Sequence, residues 1–294
     1  MNRVTQPKIQ HPETVQMKPL SSAVGAEIRG VDLSQPIDDS TFEIIRNYWH
    51  QHAVLCIPGQ ALEEVDQVRF AERFGELAMT LVEYESGKGR HPAVMYVTNE
   101  KKEGKYVGAL PDGEMYFHSD MCYLERPVKA TMLYAINIPS EGGNTLFANM
   151  YTAYDTLPIE TKQRIAGHKA VNTYEQGTSD TVTMRTRSES PASPSARSYA
   201  QPMVCTHPVT GRKAIYVNRL MTEYIVGMPR SESNSLLESL FDHQEQPRFT
   251  YEHRWTRGDL VMWDNRCILH ARSDFNANEL RKLRRVTVKG EMIT

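Results

Sequence analysis

Apolar residues in this chain come mostly in short extended runs bounded by turn residues, with helical spacing in only a few places. Gly25-Ala-Glu-Ile-Arg-Gly-Val-Asp-Leu33 alternates between glycines like a strand with a turn at each end. Asp38-Asp39-Ser40-Thr41 offers N-cap residues, and Phe42, Ile44, Ile45, Tyr48 and Trp49 follow at helical spacing to about His52. Ala53-Val-Leu-Cys-Ile57 predicts a compact strand closed by Pro58-Gly59. Leu62 to Phe74 predicts a second helix, with Val65, Val68, Phe70 and Phe74 as its buried side and Gly75 as its stop.

Residues 83–114 are polar and glycine-rich around one apolar strand, Ala93 to Val97. Further strands are expected at Ala130 to Asn137, Thr145 to Ala148, Met203 to Pro208, Lys213 to Val217, Phe249 to Arg254, Leu260 to Trp263 and Arg285 to Val288. Helices are expected from Tyr151 towards Gly167 and from Ser231 to His243. Residues 1–14 read as a loose polar tail. Residues 176–202, rich in Ser, Thr, Arg and Pro, cannot bury enough apolar surface to fold alone and read as an active-site lid inside one continuous domain spanning 1–294. Many short strands with a minority of helices predict a mainly β, α+β domain: a sandwich or jelly roll with helices packed outside.

Composition narrows the class without naming it. With 294 residues, 40% apolar and 24% charged, the chain can bury a substantial core. A net charge of −2 gives no footprint for nucleic acid. No apolar run reaches the ~18 residues of a membrane span, and Met1 to Leu20 has no secretory apolar region, so a cytoplasmic protein is expected. The four cysteines (Cys56, Cys122, Cys205, Cys267) are widely spaced, which favours free, buried thiols over a disulfide framework.

Chemistry concentrates at Tyr116-Phe117-His118-Ser119-Asp120-Met121. On an extended backbone, residues i and i+2 share a face, so one strand end can present an imidazole and a carboxylate to the same point. Two ligands do not make a metal site, and a lone His-x-Asp is common. The candidate third ligand is His270, reachable if both histidines sit on facing strands. The other histidines read as structural. His11 is in the tail, His50 and His52 end a helix, His91 is in a loop and His207 is in a turn before proline. His168, His243 and His253 look like surface positions. After His270 come Arg281 and Arg285; read alone they are a solvated basic loop before an edge strand, but beside a metal a guanidinium can grip a carboxylate bidentately.

His118-x-Asp120, the turn Gly142-Gly143-Asn144-Thr145, Trp263-Asp264-Asn265-Arg266 leading to His270, and the Arg281/Arg285 pair together resemble the taurine dioxygenase family of iron(II)- and 2-oxoglutarate-dependent dioxygenases. Gly25 to Leu33, Arg73-Phe-Gly-Glu-Leu77 and Thr206 to Lys213 resemble it too, so the similarity spans most of residues 18–290. The resemblance implies a double-stranded β-helix (jelly roll) core and a facial triad of His118, Asp120 and His270 for iron(II). It also implies 2-oxoglutarate held by Arg281 and Thr145, O2 as cosubstrate, and succinate and CO2 as coproducts. Asp120 itself argues for hydroxylation, since a small residue there would open a halide position instead. Arg285 matches the position that holds a substrate's anionic group, which implies a small anionic substrate, and family members form dimers or tetramers.

The chain departs from the taurine enzyme at Ala78-Met79-Thr80 and at Gly113-Glu-Met-Tyr-Phe117, where that enzyme is more polar. Met79, Thr80 and Tyr116 therefore stand as candidate substrate-wall residues, and an aryloxyalkanoate or other carboxylate is favoured over a sulfonate or sulfate ester. Two readings from other classes remain: a zinc hydrolase on the same triad, and a non-catalytic jelly-roll binding protein. Retention of all the ligand and clamp positions argues against the second. No clear general base supports the first.

Overall fold

The computed structural model describes residues 14–80, 89–109, 115–174 and 196–294. Its centre is a seven-stranded sheet in the order Gln16–Pro19, Ala26–Arg29, Val54–Ile57, Leu260–Asp264, Val128–Asn137, Lys282–Lys289, Val94–Thr98. Pairing is antiparallel except between Ala26–Arg29 and Val54–Ile57. A four-stranded sheet lies against it, in the order Thr250–His253, Thr145–Asn149, Ile268–Arg272, Met115–His118. Two sheets face to face, with helices outside, make the jelly-roll core that the pattern of short strands predicts.

The large sheet is buried on both faces, which is why its central strands read as unbroken apolar runs. Successive side chains of Leu260–Asp264 point to opposite sides, and their partners follow suit: Val261 pairs with Leu133, Met262 with Met132. Val261, Trp263, Leu133 and Leu283 face inward to the small sheet, where Phe147 and Ile268 share the inner face. Leu260, Met262, Met132 and Val286 face outward to Phe42, Ile45, Trp49, Val68 and Phe70 of the first two helices.

Those helices, Asp39–His52 and Glu64–Glu72, start where the sequence places caps. Asp38 accepts from Thr41 N at 2.6 Å. Glu63 and Asp66 form a reciprocal capping box. The first helix ends at Ala53, whose φ of 60° is left-handed and whose N–H returns to Trp49 O. Val65 departs from expectation and is 65% exposed, because it shares its side of the helix with Arg69 and Glu72 rather than with Val68 and Ala71.

Part of the expected lid is a strand. Arg197–Pro202 pairs antiparallel with Lys169–Tyr174, which pairs in turn with Thr222–Ile225. As an edge strand it needs no apolar alternation, so its polar composition reads as a loop. Residues 176–195 of the lid and 1–13 of the tail lie outside the described residues. All four cysteines are unpaired and buried.

Arg284 ties the second helix to the sheet. Its Nε donates to Gln67 Oε1 at 2.8 Å and its Nη2 to Leu62 O and Glu63 O at 2.9 and 3.0 Å. Gln67 closes the loop by donating to Met132 O and Arg284 O. Arg284→Ala leaves these buried acceptors without donors, and hydrogen bonds to charged groups contribute ~1.5–3 kcal/mol each. Urea unfolding is expected to show a loss of about 3 kcal/mol or more; a loss under about 1 kcal/mol rejects this anchoring role.

Candidate active site

Sheet register brings the two candidate histidine ligands together. Met115–His118 pairs with Ile268–Arg272 so that His118 and His270 are direct cross-strand partners. Their ring centroids lie 4.1 Å apart. Directly opposed side chains on one face are the closest contacts a sheet makes, which is how two residues distant in sequence share one point. Asp120 sits just beyond the strand, in a turn whose next residue, Met121, has φ 56°. That left-handed backbone costs a non-glycine residue on the order of 1–2 kcal/mol and swings the carboxylate under the two rings. One ligand atom each from His118, Asp120 and His270 lie within 4.8 Å of one another.

The donor set has the protonation states a divalent cation needs. His118 Nδ1 lies 2.9 Å from Tyr116 O, which fixes the proton there and leaves Nε2 as a lone-pair donor. Burial pushes the pKa of both imidazoles down, and for His270 the neighbouring His118 ring adds to it, so both are held neutral. For Asp120 burial favours the neutral acid, but the Arg285 guanidinium first, and the Thr131 hydroxyl with it, oppose this and hold the carboxyl below the ordinary range. Arg285 Nη2 is 3.1 Å from Asp120 Oδ1. Two neutral imidazoles and one carboxylate on one side of a cavity fit a facial-triad metal.

The cavity that these residues open onto carries Thr145, Arg272, Arg281 and Arg285 as its other polar walls. Arg281 is 2% exposed, and no carboxylate among the described residues pairs with it. Its Nε donates to Gly143 O at 3.0 Å and its backbone N–H to Asn99 Oδ1 at 2.8 Å, which aims the guanidinium. Burial and then Arg272 disfavour its charge, so an incoming anion relieves both. Thr145 Oγ1 accepts from Trp255 Nε1 at 3.0 Å, which leaves its own hydrogen to donate into the cavity. Gly142 and Gly143 both have positive φ, and a Cβ on Gly143 would lie 2.9 Å from Arg281 Nε. Thus the Gly-Gly turn lets Arg281 approach.

Expected wall residues fare differently. Met79 is 50% exposed, and Thr80 is tied through its N–H and hydroxyl to Pro92 O, so this segment turns away from the cavity. Tyr116 contributes its carbonyl, to His118, while its ring is absent from the lining. The apolar wall comes instead from Val97, Met115, Leu133, Trp263 and Ala271. Arg272 also lines the cavity, and its position two residues beyond His270 signals the same face of a strand.

His207 opens its expected turn yet is buried, and His253 is buried rather than at the surface. His207 Nε2 meets Asp264 Oδ2 at 3.0 Å, and His253 Nε2 meets Asp259 Oδ2 at 3.1 Å. Each lies in a further cluster of potential ligands, with His50 and Asp264 or with Cys56 and Asp259. Asp264 is already held by the Arg266 fork as well as by His207. Burial pushes the Cys56 thiol up, away from the thiolate a metal needs. Both clusters therefore serve packing.

The family model described as "Taurine catabolism dioxygenase TauD, TfdA family" matches residues 16–287. Pentalenolactone F synthase of Streptomyces avermitilis is 33% identical over 278 residues, covering 90% of this chain and 90% of that protein. The alpha-ketoglutarate-dependent 2,4-dichlorophenoxyacetate dioxygenase of Cupriavidus pinatubonensis is 29% identical over 295 residues, covering 95% and 99%. Among solved structures, a taurine dioxygenase from Burkholderia xenovorans superposes with a TM-score of 0.81 at 28% identity, covering 96% of this chain and 91% of that one. AAD-2 in complex with Mn(II) and N-oxalylglycine superposes at 0.77 with 28% identity, covering 96% and 99%.

Gly143→Ala forces a methyl group against Arg281. Calorimetric titration of the Mn(II)-loaded protein with 2-oxoglutarate is expected to show affinity lowered on the order of tenfold, the ~1.4 kcal/mol of one weakened charge-assisted hydrogen bond. Unchanged affinity rejects the role of this turn in seating Arg281.

Proposed function

This chain belongs to the taurine catabolism dioxygenase TauD, TfdA family, and from that membership we propose that it hydroxylates a small organic anion, with an aryloxyalkanoate or related carboxylate favoured. It is a 2-oxoglutarate-dependent dioxygenase that uses iron(II), 2-oxoglutarate and O2. One arrangement carries the assignment of residues: a His-Asp-His face and a buried guanidinium, without a carboxylate partner among the described residues, lining the same cavity. In this reading His118, Asp120 and His270 hold the metal, and Arg281 with Thr145 grips the distal carboxylate of 2-oxoglutarate. Iron(II) with 2-oxoglutarate and O2 supplies the oxidant that inserts one oxygen atom into a substrate C–H bond, releasing succinate and CO2.

The chain's own groups account for charge and orientation. Arg281 and Thr145 offer a fork and a hydroxyl, the donor pattern that fixes a carboxylate in rotation as well as position. His118 and His270, being neutral, add no charge beside the metal. Among the described residues lining the cavity, three guanidiniums face one carboxylate, Asp120. Arg285, on the cavity wall beside Asp120, offers an incoming substrate a cationic group, which favours an anionic substrate. The walls Val97, Met115, Leu133 and Ala271 suit an apolar body behind that anion. Hydroxylation at a carbon that bears an ether oxygen gives an unstable product that splits.

A hydrolytic metal site needs a general base for water, and the described cavity has no carboxylate besides Asp120. The proposal takes the chain as one catalytic domain, since Gln16–Pro19 and Lys282–Lys289 belong to one sheet. It also takes it as a cytoplasmic homo-oligomer, a dimer or a tetramer. No helix among the described residues is long and apolar enough to cross a membrane.

Anaerobic iron(II) and 2-oxoglutarate are expected to give a weak visible charge-transfer band, which Asp120→Ala abolishes together with succinate formation; absence of the band from fully metallated protein sinks the assignment. Arg281→Ala should keep iron but weaken 2-oxoglutarate binding by about 30-fold or more, the effect of roughly 2 kcal/mol for truncating a buried charge pair. Succinate release across aryloxyalkanoates, other carboxylates, sulfonates and sulfate esters identifies the substrate class, with carboxylates expected to lead.

A further inference from the structure

Behind Asp120 stands a buried polar relay that the roles above do not use. Thr131 Oγ1 donates to Asp120 Oδ2 at 2.6 Å. The same hydroxyl oxygen accepts from Asn265 Nδ2 at 2.9 Å. Asn265 Oδ1 accepts from the Asp120 backbone N–H at 3.2 Å and from Trp263 Nε1 at 3.0 Å. Both of those partners can only donate, so the amide has one possible orientation and its NH2 must face Thr131. An NH2 group cannot accept, so the single hydroxyl hydrogen of Thr131 goes to Asp120. Ser119 Oγ adds a bond to Asn265 O at 2.8 Å. Thr131, Asn265 and Ser119 are each no more than 1% exposed.

The bonds of Thr131 and of the Asn265 amide oxygen therefore have fixed directions, and they meet at Asp120, one at its carboxylate and one at its main-chain N–H. We infer that Thr131 and Asn265 are positioning residues for the metal centre: they hold the main chain and the carboxylate of Asp120 in the ligating arrangement before any ion arrives. The inference rests on Asp120 being a metal ligand. Sheet pairing explains how the relay is delivered. Thr131 is the register partner of Trp263 on one side and of Thr287 on the other, at the middle of the large sheet. Asn265 follows Trp263 directly, at the turn leading into the strand that carries His270. One short segment thus supplies the third ligand and the brace for the second. Without the brace, the turn at Asp120, already in a costly backbone conformation at Met121, has to be ordered by the ion itself.

Cobalt(II) is the probe, read by calorimetry and by its visible ligand-field spectrum, with the whole chain and no substrate. Thr131→Val keeps shape and β-propensity while removing the hydroxyl. It is expected to weaken Co(II) binding 10- to 100-fold, the usual cost of losing a hydrogen-bond partner behind a metal ligand, and to change the spectrum. Thr131→Ser is expected to restore both, which a merely structural role would not require. Wild-type affinity and spectrum in Thr131→Val overturn the relay while leaving Asp120 as ligand, provided Asp120→Ala loses Co(II). Wild-type Co(II) binding in Asp120→Ala overturns the ligand assignment and the relay with it. Should Thr131→Val not fold, Asn265→Ala releases the hydroxyl from its fixed direction; the same weakening supports the relay, and wild-type binding rejects it.

Discussion

A carboxylate must stay charged inside a closed β-sandwich, and much of this structure answers that requirement. Asp120 is 6% exposed, and removing an ion from water costs several kcal/mol unless partners replace its hydration. Arg285 takes one oxygen and Thr131 the other. The two imidazoles beside it are held neutral by their own burial. Such an arrangement adds little net stability compared with apolar packing. What it secures is a defined site, with one anionic and two neutral donors converging and the opposite side left open.

The sandwich makes that site possible because its large sheet is covered on both faces. Helices packed on the outer face leave the inner face free to meet the small sheet, where the ligand strands lie. Trp263 sits at the junction, with Phe147 at 5.4 Å and His270 at 4.6 Å between ring centroids. Rigid packing of this kind fixes a ligand ring to a fraction of an ångström, which a loop cannot do. Asp120 is the exception, placed by a turn rather than a strand, and it is the ligand with the most hydrogen-bonded support.

At the other end of the cavity the logic is reversed. The Arg281 guanidinium is buried with the carbonyl of Gly143 as a partner and no balancing carboxylate among the described residues. A cation in that state is a poor stabiliser and a strong receptor for a carboxylate. The chain thus sets one compensated carboxylate at one end of the cavity and, at the other, Arg281 with no carboxylate partner among the described residues. The family to which it belongs needs both, since its cosubstrate brings two carboxylates into one small space.

Much of this was legible beforehand. Caps at Asp38 and Glu63, the glycine stop at Gly75 and the apolar runs at residues 54–57 and 260–264 announced their elements because these signals are local. That His118, Asp120, His270, Thr145, Arg281 and Arg285 line one cavity was legible as motifs in order. The buried state of His207 and His253 was not, since nothing near them in sequence names Asp264 or Asp259 as the partner that makes burial tolerable. Met79 and Thr80 stand outside the described cavity lining, and sequence position relative to a motif does not reveal the bonds from Thr80 to Pro92 O. Thr131 and Arg272 carried weak signals at best, because their roles come from register across strands. By itself, then, the sequence determined which groups can ligate and roughly which segments are strands. Only tertiary structure decided which oxygen and nitrogen atoms meet, because hydrogen bonds act over about 3 Å while the residues that share them are scattered along the whole chain.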